Sequence, residues 1–229
     1  MPEAPLTPDK RTLELDPDLI EPPPKAPFVE LGLVSCFSFL RGASDAVDLA
    51  MTARALGYDA LGIADVNSFA GVVRLHTEAK TLKLRPVIGT RIETVEGLAF
   101  LAYPRNRAAY GRLSRLISQG RMQTLTGEWQ EKGVCEISLS ILAEHSEGVQ
   151  LILLPPGDLE ATFTIEVESN VVPLRPEGEE AQNVLLTASF PEILPHLTRQ
   201  LPEMRHLAAS YLYRGDDVAR IDRLDRLAR

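Results

Sequence analysis

Apolar residues along this chain fall into two alternating rhythms. Short runs rich in Val, Ile and Leu recur, and each is followed by a segment in which apolar residues return every three or four positions. The first rhythm predicts β-strands and the second amphipathic helices. Residues 29–34 read as the opening strand. Ser44 and Asp45 then begin a helix over 46–56 as an N-cap should, with Val47, Leu49, Ala50, Ala53 and Leu56 apolar and Gly57 as its stop. Residues 60–65 predict a second strand, and 68–83 a helix that turns Ala70, Val73, Ala79 and Leu82 inward. A third strand covers 86–89, whose leading proline is tolerated at a first strand position. Segments 91–95 and 98–103 read as partners joined by a Glu-Gly turn.

The second half continues the alternation. A helix over 106–119 places Tyr110, Leu113, Leu116 and Ile117 on one side, and 120–134 is a polar, glycine-containing loop. Ser138 or Ser140 caps a short helix ending near His145, and 149–154 is a strand closed by Pro155 and Pro156. Residues 162–168 and 183–188 read as strands, with a loop at 175–180. Pro191 starts a helix to about 201, 206–212 reads as a strand, and Asp216 or Asp217 caps a last helix with a Val218, Ile221, Leu224 and Leu227 stripe. That helix reaches Arg229 without a stop signal, so the chain reads as cut, with an uncovered edge strand and apolar helix face that predict self-association or poor solubility. Strands alternating with helices imply a mainly parallel α/β sheet with right-handed crossovers, either open or closed into a barrel. No glycine-rich phosphate loop follows any strand, which disfavours a nucleotide-binding open sheet.

Composition narrows this picture. With 229 residues and 45% hydrophobic content, the chain can bury one sizeable core. Residues 1–27 hold eight prolines and little periodic apolar content, so they read as an extended or disordered lead-in to one folded unit over 28–229. A net charge of −8 argues against a free-standing nucleic-acid binder, because phosphate neutralisation needs a basic surface. Cys36 and Cys135 are too few for a disulfide framework; Cys36 reads as a small buried hydrophobe, and Cys135 has no visible role. No apolar run approaches the roughly 18 to 20 residues of a membrane span, and the proline-rich start is unlike a signal peptide. These features predict a soluble, cytoplasmic protein. His76, His145, His196 and His206 are too dispersed to suggest a common site. Arg105, Arg107, Arg112, Arg115 and Arg121 make the most basic stretch, readable as a contact with DNA or another domain, or as the solvated face of a helix.

Five stretches, in order, carry a resemblance: VELGLVSCFSFLRGAS, LGYDALGIADVNSFAGVVR, PVIGTRIE, AYPRNRAAYGRLSRL and YRGDDVARIDRL. Together they resemble the polymerase-and-histidinol-phosphatase (PHP) domain of bacterial C-family DNA polymerases, the DNA polymerase III alpha type, and its error-prone branch in particular. The resemblance implies a distorted (β/α)7 TIM-like barrel, here truncated at the C-terminus. In active members, His, Asp, Glu and sometimes Cys side chains at the strand ends hold Zn- or Mn-type divalent ions that activate water for phosphoester hydrolysis. It further implies a parent polymerase that serves DNA replication and translesion repair and uses Mg in its polymerase core. The implied partners are the remaining polymerase domains, DNA through the parent, and possible sliding-clamp and mutagenesis accessory proteins, with no membrane.

The chain departs from the family pattern where the chemistry should be. Gly32 and Val34 stand in place of the two histidines of the first motif, Val66 follows Asp65 where a histidine belongs, and Arg91 occupies a glutamate position. Further ligands of the family would lie beyond Arg229. The expectation is therefore no catalytic residue, no bound metal and no cofactor in this chain, leaving a structural or assembly domain. The alternative is a metal-dependent phosphoesterase or 3′–5′ exonuclease with non-standard ligands. A sharper expectation follows: Arg91 fills the vacated metal space and pairs with Asp65. Against it stands a plainer reading, in which Asp65 caps the next helix and Arg91 is solvated.

Overall fold

In a computed structural model, which describes residues 28–168, 183–211 and 213–229, the two rhythms resolve into a mixed α/β fold. The elements are β1 (Glu30–Leu33), α1 (Ala46–Ala55), β2 (Ala60–Val66), α2 (Val72–Thr81), β3 (Arg85–Glu93), β4 (Ala99–Pro104) and α3 (Arg107–Met122). They continue with α4 (Leu139–His145), β5 (Val149–Leu154), β6 (Thr162–Glu168), β7 (Asn183–Ser189), α5 (Phe190–Gln200), β8 (Met204–Leu207) and α6 (Asp217–Ala228). Six strands form one sheet in the order β1-β2-β3-β4-β5-β8, and β6 pairs with β7 separately. Strands β1 to β3 are parallel, β4 runs antiparallel to both β3 and β5, and β8 returns parallel to β5. Among the described residues, β1 and β8 are the edges of this sheet.

Alternate residues of each strand serve opposite faces. On one face, Leu61 and Ile63 pack with Ala46, Ala50, Leu75 and Ala79 of α1 and α2. Phe100, Ala102, Leu151 and Leu153 meet α3, α4 and α5 in a larger cluster on the same side. On the other face, Ala64, Leu101 and Tyr103 gather with Leu31, Val87, Ile152 and Leu154. β1 and β4 are separated by two strands, yet the Tyr103 hydroxyl donates to the Leu31 carbonyl, so the sheet curls toward this second face. A Cβ on Gly89 would stand 2.4 Å from the Tyr103 ring, which is why the ring can lie across β3 there.

Several boundaries differ from those expected. β3 is one continuous strand, because it pairs with β2 along most of its length and with β4 at its end. α2 starts at Val72, since residues before it turn to bring the Gly71 amide onto Asp65. The late start shifts the buried face to Val72, Leu75, Ala79 and Leu82, leaving Val73 73% exposed and Ala70 exposed too. Leu56 and Val218 are likewise exposed, and Cys36 is exposed instead of buried. β8 is shorter than expected and ends at Leu207. The caps of α1 and α4 are Asp45 and Ser138. The lead-in at 1–27 and the loop at 175–180 lie outside the described residues. Among the described residues, no helix is long and apolar enough to cross a membrane.

Candidate functional site at the strand ends

Parallel pairing of β1, β2 and β3 collects their C-terminal ends and the loops that follow, which is where barrel-like α/β proteins place chemistry. Asp65, near the end of β2, is only 1% exposed. A buried carboxylate is costly unless donors surround it. Here the Ser35 amide (2.9 Å) and the Ser38 hydroxyl (2.8 Å) donate to Oδ1, and the Gly71 amide (3.1 Å) donates to Oδ2. The Ser35 hydroxyl lies 2.9 Å from both oxygens. Ser38 Oγ in turn accepts from the Val66 amide at 2.9 Å, and Thr90 Oγ donates to the Asp65 carbonyl at 2.9 Å. Residue 71 must be glycine for this geometry, since a Cβ there would meet Asp65 Oδ2 at 2.5 Å and Ser35 Oγ at 2.7 Å.

The expected pairing of Arg91 with Asp65 is not made. Register explains why: Asp65 lies opposite Thr90, and Arg91 lies opposite Val66, so the two side chains leave opposite faces of the sheet. Arg91 turns to Glu93 on its own face, with Nε 3.0 Å from Oε1 but off the line of a hydrogen bond. Arg41, from the β1–α1 loop, grips the same carboxylate in a fork, at 3.0 and 3.1 Å. Asn67, in the left-handed region at φ 45°, ties the strand ends together. Its side chain donates to the Glu93 carbonyl at 3.2 Å and accepts from the Glu93 amide at 3.0 Å. Arg121, at the end of α3, donates from two nitrogens to the Asn67 carbonyl at 3.1 and 2.9 Å. Of the other positions singled out, Gly32 is exposed within β1, and Val34 and Val66 are half-buried.

The basic stretch divides. Arg121 joins the strand ends, whereas Arg105 donates to Gln150 at 2.7 Å and lies 3.6 Å from Glu203. Arg112 pairs with Glu147, Arg115 donates to the Gly111 carbonyl of its own helix at 3.4 Å, and Arg107 is exposed. His145 sits 3.0 Å from the Ile141 carbonyl one turn back. Cys135 is half-buried, and burial pushes its thiol up against a smaller opposing pull from Arg121.

Sequence reasoning missed Ser35, Ser38, Arg41 and Glu93. The available signal was the spacing of Ser35 and Ser38 in the loop directly after β1, next to a strand ending in a buried acid.

The donor set does not fit a metal cluster. Asp65 already spends both oxygens on hydroxyl and amide donors, Val34 and Val66 offer no lone pair, and Arg91 adds a positive charge. Among the described residues, no group of three or more His, Cys, Asp or Glu side chains converges in a way that could hold an ion.

A curled, mainly parallel sheet with its candidate site at the ends of β1 to β3 defines a class, and the PHP domain family matches this chain over residues 30–187. The chain belongs to that family. Its curated relatives are named error-prone DNA polymerases. That of Caulobacter vibrioides is 36% identical over 206 residues, covering 88% of this chain and 16% of the relative. That of Rhodopirellula baltica is 43% identical over 122 residues, covering 53% of this chain and 10% of the relative. The chain thus spans about a sixth of the length of the relatives it matches most fully. Among solved structures, a putative metal-dependent phosphoesterase from Bifidobacterium adolescentis superposes with a TM-score of 0.55 at 15% identity, over 91% of this chain and 84% of that one, a likeness of fold.

Proposed function

We propose that this chain is a PHP domain without a hydrolytic centre, serving as a structural and assembly domain of an error-prone DNA polymerase. In this reading, Gly32, Val34, Asp65, Val66 and Arg91 are the remains of a metal site. The observation that carries it is the saturation of Asp65 by Ser35, Ser38 and Gly71, which leaves the surviving carboxylate no oxygen to offer a cation without breaking buried hydrogen bonds. The relatives supply the setting: the remaining domains of the polymerase are the natural partners, and DNA repair and damage tolerance are the natural context. Contacts with a sliding clamp or mutagenesis accessory proteins belong to the same proposal, as does a role for Arg105, Arg107, Arg112 and Arg115 at a domain or DNA interface.

The test is elemental analysis of the purified chain, with hydrolysis of a phosphoester and of a single-stranded DNA 3′ end measured with and without chelator. The expected result is metal well below one equivalent and no chelator-sensitive hydrolysis. Stoichiometric zinc or manganese together with activity abolished by chelator would replace this reading with that of a phosphoesterase or exonuclease using unusual ligands.

A further inference from the structure

We infer that this chain binds a second copy of itself, the Trp129 side chain of one copy entering the apolar hollow between α5, β8 and α6 of the next. Trp129 is the only tryptophan in the sequence and is 83% exposed. It does not hang on a loose loop. The Gln130 amide donates to the Met122 carbonyl at 3.0 Å and the Thr124 amide to the Glu128 carbonyl at 2.8 Å, so that Gln123 and Trp129 face each other as an antiparallel bridge. Gly127 takes the positive φ of 88° that the turn between them requires, and the Leu125 amide is held by the Glu136 carboxylate at 3.1 Å. These bonds close residues 122–130 into a small hairpin that keeps the indole in solvent. Met122 and Leu125 of the same hairpin are exposed too, so the apolar surface is a patch and not one stray side chain. Tryptophan is the residue type that most often anchors a protein interface, because it brings the largest apolar area at a small entropic cost.

A receptor of matching size and charge lies elsewhere on the same surface. Leu153, Leu194, Met204, Leu207 and Leu227 line a hollow of about 260 Å³, with the exposed Thr198 of α5 at its edge. Apolar cavities of about 150 Å³ already take up benzene, so this one has room for an indole. The charges are opposite. Glu128 and Glu131 are exposed on the two sides of Trp129, with Lys132 the one cation of residues 122–134, whereas Arg205 and His206 are exposed on β8 at the hollow. Among the described residues, neither those two acids nor Arg205 belongs to an ion pair, so each is available to a neighbour. Knob and hollow sit on different elements, and the contact joins two unlike surfaces. One contact leaves a spare hollow on one copy and a spare indole on the other, so association runs past a pair unless the copies close on each other.

The inference goes beyond the structural role proposed above and fails separately from it: metal content and hydrolysis decide that reading, self-association decides this one. Sedimentation velocity of the whole chain is measured from about 5 μM to about 500 μM, the range in which a single-anchor contact shows. Tryptophan emission is followed over the same range, and with one tryptophan it reports Trp129 alone. The expected result is a solvated indole in the dilute monomer and a blue shift that grows with the sedimenting mass. Added salt should weaken the association. Trp129→Ala and Thr198→Phe, which fills the hollow with a ring of its own, should each reduce association about tenfold or more with the melting temperature unchanged. Mixed together, the two variants should form a one-to-one complex, since one still offers a hollow and the other an indole. Tyr213→Ala, which removes an exposed aromatic ring elsewhere, should leave association intact. A monomer throughout, or emission already blue-shifted in the dilute monomer, overturns the inference. So does association that Trp129→Ala or Thr198→Phe leaves unchanged, a mixture of the two that stays monomeric, or an equal loss from Tyr213→Ala.

Discussion

Asp65 and Glu93 stand near the ends of neighbouring strands, and the protein treats the two carboxylates in opposite ways. Asp65 faces the helices, is almost fully buried, and is surrounded by hydroxyl and amide donors that carry no charge. Glu93 faces the other side of the sheet, has a side chain 27% accessible, and is met by two guanidinium groups. The difference teaches that a buried carboxylate need not be satisfied by a salt bridge. Neutral donors stabilise a buried charge through short, directed hydrogen bonds and bring no second ion that must also be desolvated. The exposed carboxylate can be left to arginines because water screens both partners.

The largest effect should separate these two residues. Asp65→Ala strips a buried shell of its acceptor and orphans the Ser35 and Ser38 hydroxyls, so urea unfolding should show a loss of about 3 kcal/mol or more. Glu93→Gln should cost under about 1 kcal/mol, in keeping with a part-exposed pair. Equal losses from the two variants would break the contrast.

A smaller loss should come from closing the Asp65 pocket without touching its charge. Gly71→Ala pushes a methyl group to 2.5 Å from Asp65 Oδ2, and the strain should cost about 1 to 3 kcal/mol. Combined with Asp65→Ala, its cost should shrink, because the atom it strikes is gone; strict additivity would show that the two positions do not communicate.

The smallest effect is one of pH and concerns the far face. Burial, with help from Glu30, pushes the Tyr103 phenol well above its usual range. A folded-state value above the unfolded one means that the stabilisation is fully present below the ordinary tyrosine value of about 10. It fades as pH rises beyond that, by at most about 1.4 kcal/mol per pH unit. Tyr103→Phe should remove this alkaline slope while changing neither the Asp65 nor the Glu93 comparison. A variant whose stability falls just as steeply above pH 10 would place the alkaline sensitivity elsewhere.

Much of the fold was legible because strand and helix differ in period, and the runs at 60–65, 106–119 and 149–154 carry their period cleanly. Phase was harder to read. Residues 68–71 contain apolar Phe69 and Ala70 and invite an early helix, but the hydrogen bond from Gly71 to Asp65 holds them in a turn, and the buried stripe of α2 moves by a residue. The candidate site suffered from the same limit. Asp65 and Arg91 can be counted to adjacent strand ends, yet whether they share a face depends on one residue of register, which only pairing with Thr90 and Val66 decides. Ser35 and Ser38 gave no periodic signal at all, since they act from a loop whose path is set by the atoms it closes around. Long-range partners such as Arg41 with Glu93, or Arg121 with Asn67, are separated by some fifty residues and have no local signature.

The hydroxyl of Tyr103 reaching the Leu31 carbonyl has a consequence for the first strand. The ring crosses β3 where Gly89 leaves room and ties β4 to β1, two strands apart. The outermost strand is therefore fastened twice, by its ladder to β2 and by a side chain arriving from across the sheet.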